Sequence, residues 1–254
     1  MMMAVVPWIG LSLLAAVAMP AAAQAIVQAA DRSAIAAQAQ TAWFAGNDAA
    51  LARVAATATG LATSSKAQDR YTLGFVQFRV LQRAIGAKRD KDAERAGAAC
   101  VAATEAAVKA DPKFVEAFAL QSACHGYLAN LGGLGAIRNG SRSGKAIEAA
   151  LALEPGHPRV QLVEGFGLYF RPAFVGGDKG KACARFRAAA AAFDAAGPGG
   201  AGGAGGIEWG AAEAHFWVGR CAREAGDAAA AQRSFERSLQ LAPGYVAAQR
   251  ALGR

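Results

Sequence analysis

Two stretches of this chain set a Gly-Lys pair downstream of another glycine, the raw material of a phosphate cradle. Gly140 to Ala146 reads GSRSGKA, and Phe174 to Phe186 reads FVGGDKGKACARF. A nucleotide-binding loop needs G-x-x-x-x-G-K-[ST] after a strand, so that backbone amides surround phosphate and a hydroxyl holds magnesium. Both stretches are one residue short, both continue with alanine (Ala146, Ala182), and neither follows a strand-like run. They read instead as the entries to two helices, with glycine making the turn and Lys-Ala opening the helix. Phe174 is expected to anchor its loop onto the body of the protein. No cofactor is implied.

His125 next to Cys124 brings a cysteine–histidine nucleophile pair to mind. Neighbouring residues on a helix point about 100° apart, so the two would not hydrogen-bond. Glu164 and Asp178 could be matched as a carboxylate pair, but nothing in the sequence brings them together. The four cysteines, Cys100, Cys124, Cys183 and Cys221, include no C-x-x-C pair, which argues against structural zinc and thioredoxin-type chemistry. No metal site and no acid–base–nucleophile set emerges, and the expectation is a protein that is not an enzyme.

The elements that would hold these residues are helical. Of 254 residues, 54% are hydrophobic but only 8% aromatic, and alanine, the best helix former, dominates the apolar count. Period-two runs of β-branched and aromatic residues are nearly absent, which points to an all-α chain. The first 25 residues carry an apolar run from Val5 to Met19 followed by small residues, as in a cleaved export signal, although no Lys or Arg precedes the run. That run is short for a membrane span, which takes about 20 residues, and no later segment is long and apolar enough to serve as one. An uncleaved anchor is the alternative. The net charge of +8 falls wholly after the signal, with basic residues dispersed and not interleaved with aromatics. This does not describe a nucleic-acid site; anionic envelope surfaces or acidic partner segments suit it better, as does solubility alone.

A repeat organises the rest. Pro112, Pro155 and Pro243 end similar helices and lie 43 and 88 residues apart, one and two units of a common period. Counting back from each proline, Cys100, Thr104 and Ala107 match Ser143, Ile147 and Ala150, and again Ala231, Phe235 and Ser238. The spacing sets each trio on one helix face, and the proline stops the helix. Two residues past each proline stands a ring, Phe114, His157 or Tyr245, placed to dock where the next helix begins. The last copy, AEAHFWVGRCAREAGDAAAAQRSFERSLQLAPGY, resembles a tetratricopeptide repeat, W-x2-L-G-x2-Y…A-x3-F…P. Val218, Gly219, Ala231, Phe235 and Pro243 occupy the pattern, while His215 and Ala222 replace its tryptophan and tyrosine.

The resemblance implies a right-handed α–α superhelix of four to five helix pairs over residues 26–254. A flexible glycine-rich insertion is expected at 197–206 (GPGGAGGAGG being unable to hold a helix). Helix pairs are expected at 26–44 with 48–59, 69–85 with 91–110, 113–131 with 144–153, 158–170 with 179–193, and 210–225 with 227–241. In stacked hairpins the second helix of one pair packs on the first helix of the next. Bridges Cys100–Cys124 and Cys183–Cys221 are then reasonable, with buried free thiols as the alternative. Tetratricopeptide arrays hold peptides or proteins on a concave surface of first helices. Here that surface would be supplied by Tyr71, Phe75, Arg79, Tyr127, Asn130, Tyr169, Arg220 and Arg223, some of which are expected to be core instead. The sequence thus reads as a periplasmic or secreted scaffold for a peptide or protein partner. A structural envelope subunit, and less plausibly an enzyme on a helical frame, are the alternatives.

Overall fold

The chain's turns are written in pairs of residue types, and the helices follow from them. Residues 21–197 and 206–254 are described by the structure, a computed structural model. The helices are α1 (Ala21–Phe44), α2 (Asp48–Ala58), α3 (Ala67–Gly86), α4 (Asp90–Ala110), α5 (Val115–Asn130) and α6 (Ala136–Leu153). They continue with α7 (Pro158–Phe170), α8 (Lys179–Ala196), α9 (Ala211–Glu224), α10 (Ala228–Leu241) and α11 (Val246–Ala251), with no strand among the described residues. Residues 1–20 of the expected export signal and 198–205 of the expected glycine-rich insertion lie outside the described residues. No helix among the described residues is long and apolar enough to cross a membrane.

Consecutive helices form five hairpins, α1/α2 to α9/α10, and α11 ends the array. Two turns show how the sequence closes a hairpin. In AGND and AGD, Gly46 and Gly226 adopt φ of 65° and 82°, the left-handed region that only glycine enters cheaply. The acceptors that follow cap the next helices: Asn47 accepts from the Ala50 amide at 2.9 Å, and Asp227 from the Ala230 amide at 2.8 Å. At α7, Pro158 fills the first helical position, where no amide hydrogen is required, and His157 accepts from the Arg159 amide.

The repeat grid is the buried face of the second helices. Cys100, Thr104 and Ala107 in α4, Ser143, Ile147 and Ala150 in α6, and Ala231, Phe235 and Ser238 in α10 are all buried. A further copy sits in α8, where Ala182, Phe186 and Ala189 keep the spacing and are fully buried. It is hidden in the sequence because Asp194 stands in the proline's place, so α8 runs on to Ala196. Phe114, His157 and Tyr245 stand at the starts of α5, α7 and α11, as their position after each proline foretold. Close approach within hairpins is set by glycine. A Cβ at Gly165 would come within 2.5 Å of the Phe186 ring, and one at Gly219 within 2.7 Å of the Phe235 ring.

One helix starts earlier than expected. GSRSGKA does not open α6: the helix begins at Ala136, and Gly140 and Gly144 lie within it. Residues Ala136 to Asn139 are competent helix formers, and Asn139 ties the first turn to α5 through a 3.1 Å bond with His125 Nδ1. Two mid-helix glycines are tolerated at a cost of about 1 kcal/mol each relative to alanine. The other motif behaves as read, with Asp178 capping α8 just before Gly180-Lys181.

Candidate functional site

The inner face of the first helices is where the sequence locates a partner. Tyr71, Phe75 and Arg79 of α3 do point inward, but they are buried beneath the chain's own residues. Ile207 and Trp209, ahead of α9, run across this face and are 1% and 5% exposed. Trp209 Nε1 donates to the Tyr71 hydroxyl at 2.8 Å, and its ring lies beside Phe75 and Phe78. Arg159 of α7 donates to the carbonyls of Ile207 (2.6 Å) and Trp209 (3.1 Å) and pairs with Glu116 of α5. Burial pushes the Glu116 carboxyl up, but His157 and Arg159 outweigh it and hold the group below its ordinary value. Trp43, Tyr245 and Phe216 close the far end, leaving there only a cavity of about 80 Å³.

The remaining five residues divide. Tyr169 is buried against Trp217, bonds Glu224, and lies beneath Arg220 and Lys179. Arg223 is exposed over Phe235. Tyr127 and Asn130, both on α5, face a different opening.

That opening follows from how the hairpins are joined. Cys100 of α4 is bridged to Cys124 of α5, and Cys183 of α8 to Cys221 of α9, the pairing expected from stacked hairpins. Cys124 is therefore no nucleophile, and burial lowers the pKa of its neighbour His125. The bridges tie the second hairpin to the third and the fourth to the fifth. Between the third and fourth there is none, and α6 touches α7 far less than α4 touches α5 or α8 touches α9. The result is a cleft of about 680 Å³. Its walls are Ser122, Ala123, Gly126, Tyr127 and Asn130 of α5, and Ala136, Ile137, Gly140, Ser143 and Gly144 of α6. Val163, Phe166, Gly167 and Phe170 of α7, with Arg171, Pro172, Phe174 and Val175 beyond it, complete them.

The lining is apolar and much of it is left in water. Ile137 is 89% exposed and Phe174 90%, and Leu134, two residues before α6, is fully exposed. Phe174 thus does not anchor its loop: the short turn Ala173–Val175 presents the ring outward at the rim of the cleft. Gly140 and Gly144 line the cleft, and a Cβ at either would meet no atom within 4 Å. Unlike Gly165 and Gly219, they are not required by packing within the hairpin. Tyr127 is tied down, its hydroxyl accepting from Gln82 Nε2 at 3.0 Å, and burial pushes its phenol up, which keeps it neutral. Arg171 is the single charged residue in the lining, half-buried, with no side-chain hydrogen bond or ion pair among the described residues.

Most of the cleft eluded the sequence reading, which selected Tyr127 and Asn130 but not Ile137, Gly140, Phe170, Arg171 or Phe174. The available signal was a pair of glycines inside a helix and apolar residues off the repeat grid. Among the described residues no cluster of His, Cys, Asp or Glu is arranged to hold a metal ion.

Comparison with known proteins identifies the architecture and stops there. No protein-family model matches the chain, and no curated protein matches it by sequence. The fold is similar to that of the HusA haemophore from Porphyromonas gingivalis, with a TM-score of 0.59 at 19% identity over 79% of this chain and 93% of that one. It is also similar to TTC0263, a thermophilic TPR protein of Thermus thermophilus, with a TM-score of 0.52 at 14% identity over 89% of this chain and 100% of that one. The chain is an all-α, tetratricopeptide-like helical-repeat solenoid.

Proposed function

We propose that this chain is a non-enzymatic binding scaffold of the periplasm or extracellular space, holding an apolar ligand between its third and fourth hairpins. The observation that carries the proposal is Gly140. It sits inside α6 at a cost of about 1 kcal/mol relative to alanine, lines the cleft, and would carry a Cβ that meets no protein atom within 4 Å. A volume of about 680 Å³ with mainly apolar walls and few polar groups suits a compact molecule. Two disulfides fit an oxidising compartment, and the first 25 residues read as an export signal.

The likeness to a haemophore makes haem a ligand to weigh. Haem iron is held by His, Cys, Met or Tyr. The cleft offers only Tyr127, which is neutral and already bonded to Gln82. The residues present do not fit a haem held through its iron.

A second reading, a peptide or protein partner, is favoured by the rim. Leu134, Ile137 and Phe174 leave more apolar surface in water than a compact ligand would cover. The two readings separate by photo-crosslinking from benzoylphenylalanine placed at Ile137 in living cells, with the exposed Lys91 on α4 as control. A low-mass adduct at position 137 supports the compact ligand and a protein adduct there supports the second reading. Equal labelling from both positions contradicts the cleft as the site.

A further inference from the structure

The charge around the cleft restricts what it can hold. The two stretches that build most of it, residues 117–147 and 165–177, contain no Asp or Glu, while they carry Arg138, Arg142, Lys145 and Arg171. Three of these cations are exposed on α6, the helix that forms one wall of the cleft, and raise the local concentration of anions along it. Arg171 is different. Its guanidinium lies against the curled segment that follows α7, within 3.5 Å of a Cβ position at Gly167 and 3.7 Å of one at Gly176. The acids nearest in sequence, Glu164 and Asp178, are engaged elsewhere, Glu164 with Arg185 and Asp178 with Lys181 and the start of α8. A half-buried guanidinium without an acid partner, at the edge of an apolar cavity, is a site for a planar anion, which its fork can engage through two hydrogen bonds.

Resting on the cleft as the binding site, we infer that its ligand is an amphiphile: an apolar chain ending in a carboxylate that pairs with Arg171. The chain lies along the α6 wall over Gly140 and Gly144, where no side chain intrudes, and is covered by Phe170 and Phe174. The head group stays at the mouth, so the charge is never fully desolvated and no buried counter-acid is needed. A neutral amphiphile would leave Arg171 without its partner. A cationic one would meet four like charges.

Calorimetric titration of the disulfide-intact protein tests this with dodecanoate, dodecanol and dodecyltrimethylammonium, each kept below micelle formation. The expected result is that dodecanoate binds at least about tenfold more tightly than dodecanol, the range of a charge-assisted hydrogen bond, and that the ammonium compound binds weakest. Arg171→Gln removes the preference, and Arg171→Lys restores most of it. Circular dichroism confirms that both variants are folded. Equal affinity for acid and alcohol, with both lost in Gly140→Leu, overturns the inference while leaving the cleft as the binding site. Dodecanoate binding that survives Gly140→Leu unchanged overturns both, and a preference that survives Arg171→Gln overturns the role of Arg171.

Discussion

Arg79 of α3 and Glu213 of α9, 134 residues apart, form an ion pair in the interior of the superhelix, with side chains 1% and 5% exposed. Gln40 of α1 bonds both partners, donating to Glu213 at 3.0 Å and accepting from Arg79 Nε at 2.8 Å. Trp43 stacks 4.2 Å from the guanidinium. The second hairpin is thereby fastened to the fifth, and the inner face of the array is filled by its own chain. The junction between the third and fourth hairpins is instead open, as the cleft.

Arg79→Gln is expected to lower stability by about 3–5 kcal/mol, because it leaves Glu213 buried without its cation. Urea unfolding measures it. A loss under about 1 kcal/mol contradicts the view that this pair closes the array.

The bridges enclose 24 and 38 residues of sequence separation, which on the chain-entropy estimate are worth about 3.5 and about 4 kcal/mol. Replacing Cys183 and Cys221 together by serine is expected to cost slightly more than replacing Cys100 and Cys124. Non-reducing peptide mapping of the wild type should return these two pairs, and any crossed pair contradicts the stacking.

Substitution at the two kinds of helix glycine should have opposite signs. Gly165→Ala drives a Cβ into the Phe186 ring and is expected to destabilise by about 1–3 kcal/mol. Gly140→Ala meets no neighbour and is expected to stabilise by about 0.5–1 kcal/mol. Thermal unfolding distinguishes them.

Acid should weaken the fold in two stages. Burial lowers the pKa of His125 and His215 from an ordinary 6.5, so below that value the unfolded chain binds more protons and stability falls with pH. Glu116, held below its ordinary 4.5 despite burial, adds a second loss as pH drops further and the carboxyl is protonated. His125→Asn is expected to reduce the upper stage, leaving the part due to His215, and to leave the lower one unchanged. Denaturant midpoints measured from pH 7 to pH 3 check both.

The architecture was legible because it repeats. Proline spacing, the buried trios and the ring after each proline are local signals, and each maps to one hairpin. The α8 copy was missed where a single residue, Asp194, replaced the proline that marks the others. The filled inner face was not legible at all. It depends on Ile207 and Trp209 crossing α3 and α7, and nothing local to those residues states which helices they will meet. The cleft was half legible. Tyr127 and Asn130 follow from the first-helix rule, whereas Gly140 reads as a turn until the helix around it is seen.

The central claim is that the cleft along Gly140 is kept open for a ligand, and Gly140→Leu tests it most directly. Wild type and variant are purified from the cell envelope, their unfolding is compared, and co-purifying mass is read by native mass spectrometry. The account predicts a variant at least as stable as wild type that has lost the bound mass. A variant that keeps the same bound mass contradicts it.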